Sequence, residues 1–240
     1  MSWQENQLSI AFDSSSYRFF APDIVRYTEI LLKRVAPIFD DLDGEEERAA
    51  KEVLDHPGWG PDDYEAAIVT ANDHGRDAAI QLMEMKSVFL ATGVSGLFHL
   101  FERQIYRHLN KELRDWIKNP INQWRDVENL VPKFRQRWKK EGEDLAFVEA
   151  FQHPDLIELR NVANAVKHGE GSAYKQLLSM KAQVVSPLRL AEDWTIGPFS
   201  ILDVNISIIP GDVERYQNAI LRFWRLEGTY WANRSSFKGG

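Results

Sequence analysis

The stretch PDLIELRNVANAVKHGEG, residues 154–171, decides how the chain is read. Pro154 suits the first position of a helix, where no intrahelical partner awaits an N–H, and Asp155 adds negative charge to the first turn. Gly169 and Gly171 supply the stop. With Arg160 as origin and about 100° per residue, Leu156, Leu159, Val162, Ala163 and Val166 fall between about 200° and 320°. Arg160, Asn164, His168 and Asn161 gather between about 0° and 100° on the other side. The spacing predicts an amphipathic helix over 154–168 with one core face and one polar face. Ile157 lies within the polar face, which suits a covered surface such as a subunit interface.

Working outward, most of the chain carries helical periodicity. Pro22 and Asp23 open a helical run through Leu54, loosened near Asp40–Gly44, and the turn cluster at 56–61 ends it. Further helices are expected from 62 or 63 to 73 and over 76–118, the latter stopped by Asn119-Pro120. Gly93 and Gly96 mark a kink or a close helix crossing. Others are expected over 126–140, 144–151 and 172–181, and from a cap at Asp212 to Trp231. Residues 182–212 differ, and the alternation of Val204, Ile206 and Ile208 predicts a strand at 203–209. The expected fold is all-α, a helical bundle with a small irregular or β appendage near 182–212. It reads as one domain over 1–240, with an acidic helical extension at 1–60, a core at 76–181 and an appendage plus final helix at 182–240.

Composition narrows the chemistry. A chain of 240 residues with 44% hydrophobic content is long enough for one sizeable core. There is no cysteine, which excludes disulfides, cysteine-ligated metals and thiol nucleophiles. No segment approaches the roughly 20 apolar residues of a membrane span. The start shows no basic stretch leading into an apolar run, so a cytoplasmic protein is expected. The net charge of −7 argues against nucleic acid, until it is divided along the chain. Residues 1–102 sum to −11, 103–140 to +7 and 141–240 to −3. The basic block contains Arg135, Arg137, Lys139 and Lys140 among Trp116, Trp124, Phe134 and Trp138, a mixture suited to phosphate contact and base stacking. The plainer reading is a solvated helix face with the tryptophans turned inward.

The polar face of the 154–168 helix suits phosphodiester chemistry. An imidazole moves protons near neutral pH, and a guanidinium grips phosphate and stabilises developing charge. Asn164 and Asn161 can orient either group. Alternatively, Lys167 and His168 serve only to satisfy carbonyls at the helix end. A second cluster, His99, Glu102, Arg103 and Tyr106, sits at three- and four-residue steps. It reads either as a buried hydrogen-bond network or as support for a site with Arg160 and His168. Ligand spacing does not favour a metal.

On Glu158 through Gly169, ELRNVANAVKHG, and Gly96 through Glu102, GLFHLFE, the chain resembles the HEPN superfamily (higher eukaryotes and prokaryotes nucleotide-binding domains). That resemblance implies an α-helical bundle and, for many members, a metal-independent ribonuclease acting as a dimer in toxin–antitoxin or anti-phage defence. Its motif is an Arg, usually with a polar residue after it, then four to six residues to a His. Here Arg160-Asn161 and His168 occupy those places, with seven residues between Arg160 and His168. The resemblance implies Arg160, His168 and Asn164 as catalytic, with Asn161, Glu102, His99 and Lys167 in support and no cofactor. RNA, a second copy of the chain, and an antitoxin or other defence protein are the expected partners, with no membrane. The other reading is a non-catalytic helical scaffold that dimerises or binds a defence protein, nucleotide or RNA.

Overall fold

In the computed structural model, residues 7–60, 63–117, 119–136, 146–185 and 205–233 are described. The fold is all-α in class, a helical bundle with a small sheet. Helix α1 (Ser14–Ile30) begins well before Pro22, which lies inside it. Asp13 starts the helix: its carboxylate accepts from the Ser15 hydroxyl at 2.6 Å and from the Ser16 and Ser15 backbone N–H groups at 3.0 and 2.9 Å. These bonds hold its pKa below the usual carboxylate range. A π turn (Leu31–Val35) and a 3-10 turn (Ala36–Phe39) follow, then α2 (Leu42–Leu54). Asp41 caps α2 by accepting from the Gly44 N–H at 3.1 Å.

The two helices expected between 62 and 118 are one, α3 (Tyr64–Leu113), with no interruption near residue 75. Gly75 is there for proximity. A Cβ on it would lie 2.6 Å from the carbonyl oxygen of Glu46 in α2, so only glycine permits that approach. Gly93 and Gly96 likewise face the side chains of Leu31 and Tyr27, which selects the close crossing. The helix stops at Leu113, short of 118. Beyond it, the Asn110 amide donates to the Ile121 carbonyl at 2.8 Å and accepts from the Ile121 N–H at 2.7 Å.

The helix expected over 126–140 is α4 (Trp124–Leu130), which passes into a 3-10 turn (Val131–Lys133). Pro132, which has no N–H to offer the carbonyl four residues back, lies where α4 gives way to the 3-10 turn. Strand β2 (Arg135–Gln136) comes next, and 137–140 lie outside the described residues. Then come α5 (Ala146–Phe151), α6 (Pro154–His168), α7 (Ser172–Ser179) and a 3-10 turn (Gln183–Val185). Residues 205–209 are not a ladder strand, and 186–204 lie outside the described residues. Helix α8 (Pro210–Trp224) has proline in its first turn, and Asp212 reaches back to accept from the Ile209 N–H at 3.1 Å. It ends before Trp231, which belongs to β3 (Gly228–Asn233).

The sheet is therefore not where the 203–209 alternation placed it. Strand β1 (Gln7–Phe12) pairs antiparallel with β3, from Gln7↔Asn233 to Phe12↔Gly228, and β2 pairs on the other edge of β3, with Arg135 opposite Trp231. Leu8, Ile10 and Phe12 alternate inward, as do Tyr230 and Ala232.

The chain divides into two compact units, each assembled from separated stretches. Unit 1 comprises Met1–Thr28, Gly96–Arg160 and Glu214–Gly240. Its core is aromatic: Phe20 stacks on Trp224 at 4.3 Å between ring centroids, and Phe12 meets His108, Phe147 and Phe223. Gln104 and His108 are satisfied inside it, whereas the Trp124 indole N–H is buried without a hydrogen-bond partner among the described residues. Gln104 donates to the Phe20 carbonyl and accepts from the Trp224 indole, both at 3.0 Å, and the His108 Nε2–H donates to the Ala11 carbonyl at 2.9 Å. Unit 2 comprises Glu29–Ser95 and Asn161–Val213. It packs smaller residues, among them Ala67, Ala71, Leu90, Ala91, Val94, Val162 and Leu177, and the Ser207 N–H donates to the Val184 carbonyl at 2.8 Å.

Two stability tests follow from these contacts. Gly75→Ala is expected to destabilise by about 1–3 kcal/mol through overpacking, although alanine favours helix by about 1 kcal/mol. Gly211→Ala, with open space around it, is expected to be neutral or stabilising in the same thermal melts. Burial lowers the His108 pKa, so the folded state binds that proton less well than the unfolded chain. Stability is then full above the unfolded value of about 6.5 and falls as pH drops from there towards the depressed folded value. Urea midpoints across pH 5 to 7.5 are expected to show this slope, and His108→Gln to flatten it.

Candidate functional site

Helix α6 is the element on which the candidate residues converge, and its burial is wider than the sequence pattern indicates. Leu156, Leu159, Val162 and Ala163 are inside as expected, but so are Glu158, Asn161 and Ala165. The buried arc thus spans from about 100° to about 320° around the helix. What remains outside is a narrow strip carrying Arg160, Ile157, Asn164 and His168. Asn161 is corrected by this: only 2% exposed, it directs its amide towards the Met180 sulfur at 3.8 Å in unit 2, and it is a core residue. Val166, expected inside, is only half-buried.

The strip residues differ in what holds them. In unit 1, Arg160 is half-buried and ion-paired with Glu128 of α4. Burial lowers its pKa from the usual arginine value, though a guanidinium stays charged. In unit 2, Asn164 is half-buried, while Lys167 and His168 are exposed in the last turn. The His168 side chain makes no hydrogen bond or ion pair with a described residue. Gly169, at φ 69°, closes the helix in the left-handed conformation and donates its N–H to the Ala165 carbonyl at 2.8 Å.

Glu102 and His99 form a network of their own in unit 1. The His99 ring nitrogen Nδ1 lies 3.1 Å from one Glu102 oxygen, and the Tyr106 hydroxyl donates to the other at 2.6 Å. Burial, this hydrogen bond and the charges of Glu102 and Asp126 push the Tyr106 hydroxyl well above its ordinary pKa. Neither residue pairs with Arg160, whose carboxylate partner among the described residues is Glu128. Arg135 lies in β2 by its backbone, and Arg137, Lys139 and Lys140 fall outside the described residues. Among the described residues no group of His, Asp and Glu could hold a metal ion, and no helix is long and apolar enough to cross a membrane.

The strongest polar cluster in unit 1 is one that the sequence pattern did not reveal. The Glu158 carboxylate, 12% exposed, accepts from the Arg215 guanidinium at 2.6 Å and the Tyr216 hydroxyl at 2.7 Å. Arg215 also pairs with Asp155. Burial opposes the charge on Arg215, but hydrogen bonds to Glu158 and Asp155 outweigh it and raise its pKa. The signal was the wheel position of Glu158: at about 160°, a carboxylate borders the apolar face and needs a buried partner.

Removing one partner of such a pair strands the other charge. Glu158→Ala is expected to cost about 3 kcal/mol in urea unfolding, with Glu158→Gln, which still accepts from both donors, losing less. Compared with protein-family models, with curated proteins and with solved structures, the chain matches none.

Proposed function

We propose that the chain is a metal-independent endoribonuclease of the HEPN type, acting in prokaryotic defence or as the toxin of a toxin–antitoxin pair. One observation carries the reading: an exposed histidine with no described partner follows an arginine and an asparagine along the single outward strip of an unbroken helix. His168 takes the proton of an RNA 2′-hydroxyl as that oxygen attacks the adjacent phosphorus. The bond from phosphorus to the 5′-oxygen breaks, the departing oxygen takes up a proton from solvent, and a 2′,3′-cyclic phosphate and a 5′-hydroxyl result. Arg160 offers its guanidinium to the phosphorane as negative charge accumulates, and Asn164 orients the phosphate. For this, Arg160 exchanges Glu128 for the substrate.

The Glu128 pair favours a second reading in its own right. An arginine already neutralised by a carboxylate and half removed from water serves well as a structural tie, and the half-buried Ile157 beside it suits a protein-binding strip. On that reading the chain is a non-catalytic scaffold for a second copy or a defence protein.

Cleavage of single-stranded RNA in EDTA separates the two. The nuclease reading expects 2′,3′-cyclic phosphate ends, a loss of about a hundredfold or more in His168→Ala and Arg160→Ala, and faster turnover in Glu128→Gln. Equal cleavage by wild type and His168→Ala, or none by wild type with partner binding intact, overturns it.

A further inference from the structure

Unit 1 carries a cleft of about 300 Å³ that none of these residues enters. It lies between α1 and α3, with Phe19 and Asp23 on one side and Arg103, Tyr106 and Arg107 on the other, over Gln104. Its size is at the small end of ligand sites, enough for one ring system and its substituents.

The polar groups divide into committed and free. Both ends of the Gln104 amide are used within the core, and the Tyr106 hydroxyl is given to Glu102. These side chains make a fixed floor and wall. Arg103 and Asp23 have no hydrogen-bond or ion-pair partner among the described residues, and Arg107 has none beyond its place over the Phe19 ring, 4.7 Å from the centroid. Arg103 and Arg107 are one helical turn apart, so their forks reach the same volume. Two forks call for an anion with oxygens enough for both, which a phosphate supplies. Phe19 is 55% exposed, an unusual position for a phenylalanine, and with the Arg107 plane it forms a stacking platform. Asp23 accepts a hydrogen bond, and so asks the ligand for an N–H or O–H.

We propose that this cleft binds a phosphorylated planar-ring compound with the size and chemistry of a nucleoside monophosphate, either free or at the 5′ end of an RNA strand. Phosphate lies between Arg103 and Arg107, the ring stacks at Phe19, and an amino or hydroxyl group meets Asp23. The proposal does not depend on α6.

Titration calorimetry with AMP tests it, with inorganic phosphate and adenosine as the separate parts. AMP is expected to bind saturably and more tightly than either part. Arg103→Ala and Arg107→Ala are each expected to weaken it about tenfold, and Phe19→Ala to narrow the difference between AMP and phosphate. All three side chains are exposed, so thermal melts are expected to match wild type. His168→Ala is expected to bind AMP as wild type does. In that background, a 5′-phosphorylated trinucleotide that binds more tightly than AMP assigns the ligand to an RNA end, and one that binds equally or less tightly assigns it to free nucleotide. Absence of saturable AMP binding, AMP no tighter than phosphate, affinity unchanged in Arg103→Ala, or affinity lost in His168→Ala each overturns the proposal.

Discussion

The carboxylate of Glu158 is the constraint around which unit 1 is organised. A negative charge taken out of water must be matched, and the match here comes from Arg215 and Tyr216, neighbours on α8. Their bonds fix the rotation of α6 about its own axis, because Glu158 can meet both donors from only one side of the helix. With that rotation set, Leu159 enters the core, Asp155 comes to Arg215 and Arg160 is delivered to Glu128. The strip that carries the candidate chemistry is thus what remains after a buried ion pair has chosen which side of the helix faces inward.

The bounds of α6 were legible because its ends are written in local chemistry, with proline and aspartate at the start and a left-handed glycine at the end. The width of its buried arc was not. Asn161 and Glu158 are polar, and a pattern that sorts residues by polarity assigns them to solvent, whereas packing on both flanks of the helix covers them. The break expected between residues 73 and 76 is absent, and the Glu46 carbonyl that requires Gly75 there is distant in sequence. The Arg160–Glu128 pair had no local signature, since it joins two helices with a strand and a further helix between them.

The place of the sheet was illegible for a related reason, although β1 carries a fair signal. Leu8, Ile10 and Phe12 alternate with small or polar neighbours, whereas Tyr230 and Ala232 flank Trp231. Against a helical background, a six-residue alternation near either end attracts little weight, and the more apolar run at 203–209 drew the assignment. Pairing partners decided the matter. A strand needs a neighbour, and in this chain β1 and β3 find each other across almost the whole sequence.

That pairing bears on how the molecule is made. As the chain emerges from a ribosome, Phe12 is exposed early, yet the residues that cover it from α8 and β3 come more than two hundred positions later. Every residue of unit 2 between them therefore precedes the stretch that completes unit 1. Joining such distant segments carries a large loop-closure cost. A nascent chain stalled before residue 210 would leave β1 unpaired and Phe12 and Phe20 without the rings of Phe223, Trp224 and Tyr230, the kind of surface that chaperones and proteases recognise.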